Sequence, residues 1–287
     1  MNSAEPVAQP ALESIAVVRA RIADRLADTA RTIAVMSGKG GVGKSFVAVH
    51  LALALARRGA RVGLLDADLN SPSVAKMLGL RGQPLRATAS GLRPVPGPLG
   101  VAVQSMDFFL QGTQPLEWDG PSGEGSGVRS ALEEAALGDL LGNTEWGPLD
   151  VLLVDLAPGP DRLTALAHLV PDLDAALAVT IPTEVSLLAV ERSVRRAHDA
   201  QVPMLGLVEN LATALCARCG EEGPLFREAS TDRVAKQLDL AVLARIPFDA
   251  TAAAAVDAGA PLSSTPKGVF DRLAEHALAV GTREVRR

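Results

Sequence analysis

The sequence predicts an α/β fold in which a doubly wound, mostly parallel sheet is flanked by helices. Short apolar runs that are typical of buried strands alternate with longer segments of helical periodicity, which is the rhythm of parallel strands joined by crossover helices. A glycine-rich turn follows one of these runs and acidic residues follow two others, at the end of the strand where α/β sheets place their ligands. The chain has no internal repeat of about 20 to 50 residues, which disfavours a solenoid.

Size and composition agree with a folded domain of this class. With 287 residues, 48% of them hydrophobic, the chain can bury a full core, and its length fits one large α/β domain or two small ones. We expect an N-terminal tail and amphipathic helix over residues 1–30, followed by a single domain over residues 31–287.

Charge and hydropathy narrow the expected surroundings of the protein. The formal net charge of -5 gives no general attraction to phosphate polymers, so we expect no nucleic-acid partner. The longest apolar stretches, residues 151–154 and 175–181, are far shorter than the roughly 20 residues needed to cross a bilayer, and we expect no stable membrane association. Glu5 and two early prolines stand where a secretory signal has a basic start and an apolar run. We therefore expect the protein in the cytoplasm.

The individual elements are predicted in chain order from their periodicity. A first helix is predicted after a loose tail, because apolar residues recur at helical spacing at Leu12, Ile15, Val18, Ile22 and Leu26. Strands are predicted at residues 32–36, 61–65, 101–104, 150–154, 175–180, 204–208 and 242–246. Further helices are predicted at residues 44–58, 72–80 and 130–141. The Pro-rich and Gly-rich composition of residues 84–127 predicts loops around the one strand in that segment.

The clearest chemical motif is a glycine-rich loop between the first predicted strand and the helix that follows it. The loop reads Gly38-Lys39-Gly40-Gly41-Val42-Gly43-Lys44-Ser45. Glycines let backbone amides turn towards phosphate oxygens, the helix start adds a partial positive charge, and Lys44 adds a full one. The spacing and the strand–helix context are those of a P-loop that binds MgATP, in which Ser45 is a magnesium ligand. A glycine-rich turn with an exposed lysine is the alternative, which this context disfavours.

Three aspartates lie close behind predicted strands, where they would face a bound nucleotide. Asp66 and Asp68 follow the strand that is predicted to end at residue 65. We interpret Asp68 as the residue that orients or deprotonates the attacking water and Asp66 as support for the water shell of magnesium, and the two assignments are interchangeable. Capping of the next helix is the alternative for Asp68. Asp155 ends another apolar run and fits a magnesium-binding carboxylate, and the amide of Gly159 would contact the γ-phosphate.

Both cysteines of the chain lie in one Cys-Ala-Arg-Cys unit, as Cys216 and Cys219. This spacing is too close for an ordinary structural disulfide framework, so a metal or redox role is the sharper interpretation. One pair supplies two thiolates, whereas a four-cysteine cluster or a tetrahedral zinc site needs four, and a symmetric dimer would complete the set. The residues alone do not separate iron from zinc, and a pair of ordinary thiols is the remaining alternative.

The loop that contains Lys39 and Lys44 resembles the deviant Walker A loop of the MinD/ParA/nitrogenase-iron-protein class. A generic P-loop does not require the first of these lysines. In that class, the lysine at the position of Lys39 reaches the nucleotide of the partner subunit. The resemblance therefore implies an ATPase whose active unit is a homodimer, with nucleotide held between the subunits.

Further stretches resemble the Mrp/ApbC branch of this class, the iron–sulfur cluster carrier and assembly ATPases. The stretches, in matching order from about residue 31 to residue 262, are 65–68, 71–74, 118–121, 146–159, 208–210 and 216–220. The resemblance implies that Asn210 contacts adenine and that Cys216 and Cys219 from each of two subunits hold a bridging 4Fe-4S cluster. It also implies that the partners are apo iron–sulfur client proteins and cluster donors.

The chain departs from this family pattern around the nucleotide. Phe46 replaces a threonine after the P-loop serine, Asn70 and Ser71 replace a Tyr-Gly pair, and Ala157 and Pro160 alter the stretch around the last predicted nucleotide loop. These changes prompt one alternative function, a regulatory subunit that binds nucleotide without useful turnover.

The leading hypothesis is a homodimeric ATPase that holds an iron–sulfur cluster and passes it to apo-proteins, with the nucleotide changing the dimer. The second alternative is a positioning or partitioning switch of the MinD/ParA type, whose dimer would bind a membrane or DNA. Its support is an apolar stripe near the C-terminus, beside several arginines, formed by Val269, Leu273, His276, Ala277 and Val280. Because the stripe is short and alanine-rich, a closing helix packed on the sheet is the preferred interpretation.

Overall fold

The computed structural model describes residues 14–110, 126–215, 218–219, 221–226, 230–261 and 267–281. The helices are α1 (Ile15–Arg25), α2 (Lys44–Arg57), α3 (Val74–Met77), α4 (Ser126–Asn143), α5 (Arg162–Leu169), α6 (Glu184–Asp199), α7 (Thr231–Gln237), α8 (Ala250–Asp257) and α9 (Lys267–Ala279). The strands are β1 (Thr32–Ser37), β2 (Val62–Ala67), β3 (Arg86–Ala87), β4 (Leu92–Arg93), β5 (Val95–Pro96), β6 (Ala102–Ser105), β7 (Val151–Leu156), β8 (Ala175–Thr180), β9 (Met204–Leu215), β10 (Glu222–Pro224) and β11 (Val242–Phe248).

Within the described residues, nine strands form one sheet in the order β10-β9-β8-β1-β7-β2-β6-β5, with β11 also paired to β9. All pairings from β6 through β9 and on to β11 are parallel, whereas β5 and β10 pair antiparallel with β6 and β9. Strands β2 and β6 lie on one side of β1, and β8, β9 and β11 lie on the other. The predicted α/β fold is confirmed. The strands that follow β1 are placed on both sides of it, so the carboxyl end of β1 is a topological switch point, where such sheets bind ligands.

The central strands β1, β2, β7 and β8 are buried at every position because helices cover both faces of the sheet. Along β1, Ile33 and Val35 belong to one buried cluster, and Ala34 and Met36 belong to the other. This alternation follows from the two-residue period of a strand. The first cluster lies under α2, α3 and α9, and the second lies under α1, α4, α5, α6 and α7.

Helix α9 closes the first face of the sheet. Phe270, Leu273, Ala274 and Ala277 are each 0% exposed, and the helix packs against α2 and β11. His276, which the sequence placed on the apolar stripe, is exposed instead. The stripe therefore belongs to a closing helix whose apolar side is covered by the core of this chain. In the part of the chain that the structure describes, no helix is both long enough and apolar enough to cross a membrane.

Helix α1 packs closely against α4 because two glycines leave room for it. A Cβ at Gly138 would lie 2.7 Å from a methyl carbon of Val18, and a Cβ at Gly142 would lie 3.4 Å from Ile22. Ile22 and Leu26 are buried in the second cluster. The predicted first helix is thus present from Ile15 onward, and its residue 12 lies outside the described residues.

Three strands extend further than the sequence predicted. Strand β2 continues through Asp66, β7 continues through Asp155, and β9 continues through Asn210 to Leu215. Asp66 is in register with Asp155 on one side and with Ser105 on the other. The prediction that Asp66 and Asp155 follow the strand ends was wrong, since backbone pairing with neighbouring strands carries β2 and β7 past the point where the apolar run stops.

The helix predicted at residues 72–80 is only one turn long. It ends because Gly79 adopts a φ of 71°, the left-handed conformation that terminates helices. A side chain there would also meet the carbonyl oxygen of Gly259 at 2.5 Å. The short strands β3, β4 and β5 were missed, because two residues are too few to show a two-residue period.

Candidate functional site

The loop between β1 and α2 encloses an open cavity of about 220 Å³ at the carboxyl end of β1. Gly41 and Gly43 each have a φ of 80°, which glycine adopts without the strain that a side chain would add. Gly43 immediately precedes α2, whose first residue is Lys44. The predicted loop residues from Lys39 to Ser45 line this cavity, and the helix start adds its partial positive charge.

Two glycines of the loop are required by what lies behind it. A Cβ at Gly38 would lie 2.1 Å from the backbone carbon of Ala189 in α6. A Cβ at Gly43 would lie 2.1 Å from the side-chain nitrogen of Asn210 in β9. Helix α6 and strand β9 therefore pack against the side of the loop that faces away from the cavity. Gly38 does not line the cavity, and its role is to allow this close packing.

A buried ion pair joins the loop to β7. Lys44 Nζ lies 2.6 Å from Asp155 Oδ1, with side-chain exposures of 7% and 0%. The same ammonium donates to Ser45 Oγ at 3.4 Å. A buried carboxylate needs such a partner, because the cost of removing an unpaired charge from water is several kcal/mol.

The residues predicted to hold magnesium fit that ion. Asp155 Oδ2 is buried and has no hydrogen-bond partner in the described structure, so this oxygen has a lone pair to offer. Asp155 and Ser45 both present oxygen atoms beside the Lys44 ammonium, and magnesium prefers oxygen ligands and waters.

Asp66 is fully buried at the base of the site and does not reach the cavity surface. Its Oδ2 accepts hydrogen bonds from the amides of Ser73 at 2.9 Å and Val74 at 3.0 Å, and from Ser105 Oγ at 3.2 Å. These amides open α3, so the capping role belongs to Asp66. The sequence analysis gave helix capping as the alternative role of Asp68, because the spacing of residues does not show how the loop between β2 and α3 folds.

Asp68 is half-buried and lines the cavity of the P-loop. Burial raises the pKa of Asp68, and the nearby ammonium of Lys44 partly offsets this effect. Burial and the charge of Asp155 together raise the pKa of Asp66 to about 7. Of the two aspartates, Asp68 is therefore the one placed where it would face a bound phosphate chain.

Lys39 and Gly159 occupy different surroundings. Lys39 is half-buried and lines the P-loop cavity, and no ion pair of its ammonium is present among the described residues. Gly159 has a φ of 120°, and its amide donates to Ser37 O at 3.0 Å. Gly159 lines a second cavity, of about 330 Å³, which lies between the loops that follow β2 and β7 and helix α4.

Asn210 lies within β9, 3% exposed, directly behind the P-loop. Its side-chain amide donates to Val42 O at 2.9 Å. The side chain therefore holds the loop in place, and its predicted contact with adenine stays a prediction.

The cysteine unit follows β9. Residues Leu215 and Glu222 are in register in the antiparallel pair of β9 and β10, so the connection between them carries both cysteines. Cys219 is exposed, and Cys216 lies outside the described residues. Among the residues that the structure describes, no three or more His, Cys, Asp or Glu side chains group as a metal site.

The sequence interpretation missed one polar cluster next to the nucleotide loops. Glu133 of α4 is 6% exposed and contacts Asn70 and Arg162. The signal was present, because Glu133 stands at helical spacing from Leu137 and Leu141, which form the buried face of α4. A charged residue on that face indicates a buried polar contact.

Comparison with known proteins places the chain in a family. The family model of the NUBPL iron-transfer P-loop NTPases, of the ParA group, matches residues 28–278. An iron–sulfur cluster carrier protein from Saccharolobus solfataricus is 42% identical over 231 residues, which cover 80% of this chain and 75% of the relative. The iron–sulfur cluster carrier protein from Pseudomonas fragi is 39% identical over 82% of this chain and 79% of its own length.

Solved structures agree with these sequence relatives. The nucleotide-binding protein of Archaeoglobus fulgidus, solved in complex with ADP, is 32% identical and covers 87% of this chain and 94% of its own, with a TM-score of 0.73. The cell division ATPase MinD of Pyrococcus furiosus shares the fold at 21% identity, with a TM-score of 0.56 over 86% of this chain and 98% of its own. The predicted resemblance to iron–sulfur cluster carrier ATPases is confirmed, and the chain belongs to the NUBPL iron-transfer P-loop NTPase family.

Proposed function

We propose that the protein hydrolyses MgATP as a homodimer and carries a 4Fe-4S cluster, bridged between two subunits, for transfer to apo-proteins in the cytoplasm. The observation that carries this proposal is that one strand serves both sites. Asn210 of β9 bonds to the P-loop, and five residues later the same strand reaches Leu215, at the base of the cysteine connection. A strand rises about 3.3 Å per residue, so the two sites lie within about 20 Å of each other along β9.

The nucleotide roles follow from the contacts around the loop. Lys44 would exchange its ion pair with Asp155 for phosphate oxygens, which leaves that carboxylate free to hold magnesium together with Ser45. Magnesium, when bound, neutralises charge on the phosphates. Asp68 faces the cavity and would orient the attacking water, while Lys39 would reach the nucleotide of the partner subunit.

The cluster is the cargo of the proposed carrier. Each chain offers the thiolates of Cys216 and Cys219, so two chains supply the four that a 4Fe-4S cluster takes. A two-fold axis would bring the two cysteine connections together, and Cys219 is exposed as such a shared site requires. Ligand exchange with the thiolates of an apo client would release the cluster, and a cluster donor would load it.

The cargo is tested by anaerobic reconstitution with iron and sulfide, followed by assays for iron, sulfide, zinc and visible absorption per dimer. We expect about four iron and four sulfide per dimer. The variant Cys216→Ala/Cys219→Ala should lose the cluster and keep phosphate release. The matched variant Lys44→Ala should keep the cluster and lose phosphate release. Zinc in place of iron, or a cluster indifferent to both cysteines, would refute the carrier.

A further inference from the structure

A buried carboxylate lies outside the P-loop cavity and links the two loops that flank it. Glu133 of α4 is 6% exposed. Its Oε1 accepts from Asn70 Nδ2 at 2.9 Å and from Arg129 Nε at 3.1 Å, and its Oε2 accepts from Arg162 Nη1 at 2.5 Å. Arg129 Nη2 also donates to Asn70 Oδ1 at 3.0 Å, which closes the network.

The two outer members of this network are Asn70, which lies in one nucleotide loop, and Arg162, which directly follows the other. Asn70 stands two residues after Asp68, in the loop between β2 and α3. Arg162 is the first residue of α5 and stands three residues after Gly159, in the loop that follows β7. Within the described residues, no backbone pairing joins these two loops, so their side chains meet through α4.

The carboxylate depends on both loops at once. Burial alone would raise the pKa of Glu133, but the bonds from Asn70, Arg162 and Arg129 outweigh burial and leave that pKa below its usual value. The group is therefore a buried charge with both oxygens engaged. Withdrawal of Arg162 would leave Oε2 of this buried charge unpartnered, and withdrawal of Asn70 would leave Oε1 with Arg129 alone. Both changes are unfavourable for a buried carboxylate.

We propose that Glu133 is a positioning residue for nucleotide turnover, which ties the loop after β2 to the loop after β7 so that the two move as one unit. Asp68 and Gly159 then keep one relative placement around the nucleotide. A displacement of one loop, caused by the phosphates or by a second subunit, is transmitted to the other loop through the carboxylate. The proposal rests on the ATP hydrolysis proposed above for its effect on turnover, but the tie itself does not.

Hydrogen–deuterium exchange of the full-length protein tests the tie directly. The variant Glu133→Gln keeps the size of the side chain and removes its charge, and we expect faster exchange in residues 68–73 and also in residues 157–163. Glu134→Gln is the matched control, since Glu134 is the next residue of α4 and has no hydrogen bond or ion pair among the described residues. Arg162→Ala should loosen residues 69–73, with which Arg162 makes no hydrogen bond or ion pair among the described residues. Faster exchange confined to one loop, or equal in both glutamate variants, would overturn the tie.

Steady-state phosphate release gives the second readout. We expect Glu133→Gln to lower kcat roughly tenfold, because a small misplacement of catalytic groups has effects of that size, with little change in KM for ATP. Glu134→Gln should match the wild type. If the wild type itself releases no phosphate, the proposed hydrolysis fails while the exchange experiment still decides the tie. If the wild type turns over and Glu133→Gln equals it, the positioning role is overturned.

Discussion

Two lysines of one loop differ sharply in their surroundings, and stability measurements should separate them. Lys44 is buried against Asp155, whereas Lys39 is half-buried and carries no ion pair among the described residues. Their chemistry is the same, so the difference lies only in what each ammonium touches.

We predict that Lys44→Ala lowers the free energy of unfolding by about 3 kcal/mol, because it leaves the Asp155 carboxylate buried without its cation. Lys39→Ala should change it by less than about 0.5 kcal/mol. Urea unfolding of both variants measures these changes in the free energy of unfolding. The double variant Lys44→Ala/Asp155→Ala should recover part of the loss, and equal stability of the two single variants would contradict the prediction.

The raised pKa of Asp66 predicts a pH dependence of stability. The pKa of an aspartate in the unfolded chain is about 3.9, whereas the pKa of Asp66 in the folded protein is raised to about 7. Between these values the folded protein binds the proton more tightly than the unfolded chain. The contribution of the protonated Asp66 is therefore fully present below about pH 4 and is lost as the pH rises through about 7.

Urea unfolding in EDTA at a series of pH values tests this dependence. Asp66→Asn, which has no proton to lose, should lack the decline that the wild type shows across that window. The prediction fails if the profiles of the two proteins are parallel.

At the scale of elements, the approach of α6 to the end of β1 is set by one glycine. A Cβ at Gly38 would lie within 2.4 Å of backbone atoms of Ala189 and Val190, and backbone atoms cannot move aside as a flexible side chain can. A Cβ at Gly40, two residues later, would have an ordinary contact of 3.8 Å with the side chain of Pro158.

We predict that Gly38→Ala destabilises the protein by about 1 to 3 kcal/mol through overpacking. Gly40→Ala should stay within about 0.5 kcal/mol of the wild type. Thermal unfolding compares the two. Equal melting temperatures of the Gly38→Ala and Gly40→Ala variants would show that α6 does not pack tightly against the loop.

Elements with a strong hydrophobic pattern were predictable from the sequence, whereas segments that become strands only by pairing with distant parts of the chain were not. Strands β1, β7 and β8 each contain an apolar run of at least four residues, and α2 follows a P-loop, so their existence was predictable from the residues. The continuation of β9 past residue 208 depends on β11 and β10, which pair with it from elsewhere in the chain. Local periodicity does not report such pairing.

The same division holds for the candidate site. The P-loop residues were predictable, because their spacing is set by phosphate chemistry. The capping of α3 by Asp66 and the network of Glu133 were not, since both join residues that are far apart in sequence. The signal for Glu133 was its place on an apolar helix face, where a charge requires a partner.

At the scale of the whole molecule, the burial of α9 distinguishes a closing helix from a membrane anchor. Phe270 is 0% exposed beneath α2, whereas Phe109 is 48% exposed. We predict that Phe270→Ala lowers the free energy of unfolding by about 3 to 5 kcal/mol. Phe109→Ala, the control, should cost less than about 1 kcal/mol.

Urea unfolding and sedimentation with anionic vesicles test this pair of variants. If α9 served as an anchor, Phe270→Ala would weaken vesicle binding and leave stability unchanged. That outcome would favour the positioning switch over the carrier.

The strands β5, β10 and β11 stand at the margins of the described sheet and each carries a proline, which limits how two copies can meet. Strand β5 ends at Pro96, β10 ends at Pro224 and β11 contains Pro247, and each of these residues has no backbone N–H to donate to a further strand. A second chain would gain little by extending the sheet sideways. The two subunits of the proposed dimer would therefore meet through their nucleotide loops and cysteine connections, so that assembly itself brings together the groups that share the nucleotide and the cluster.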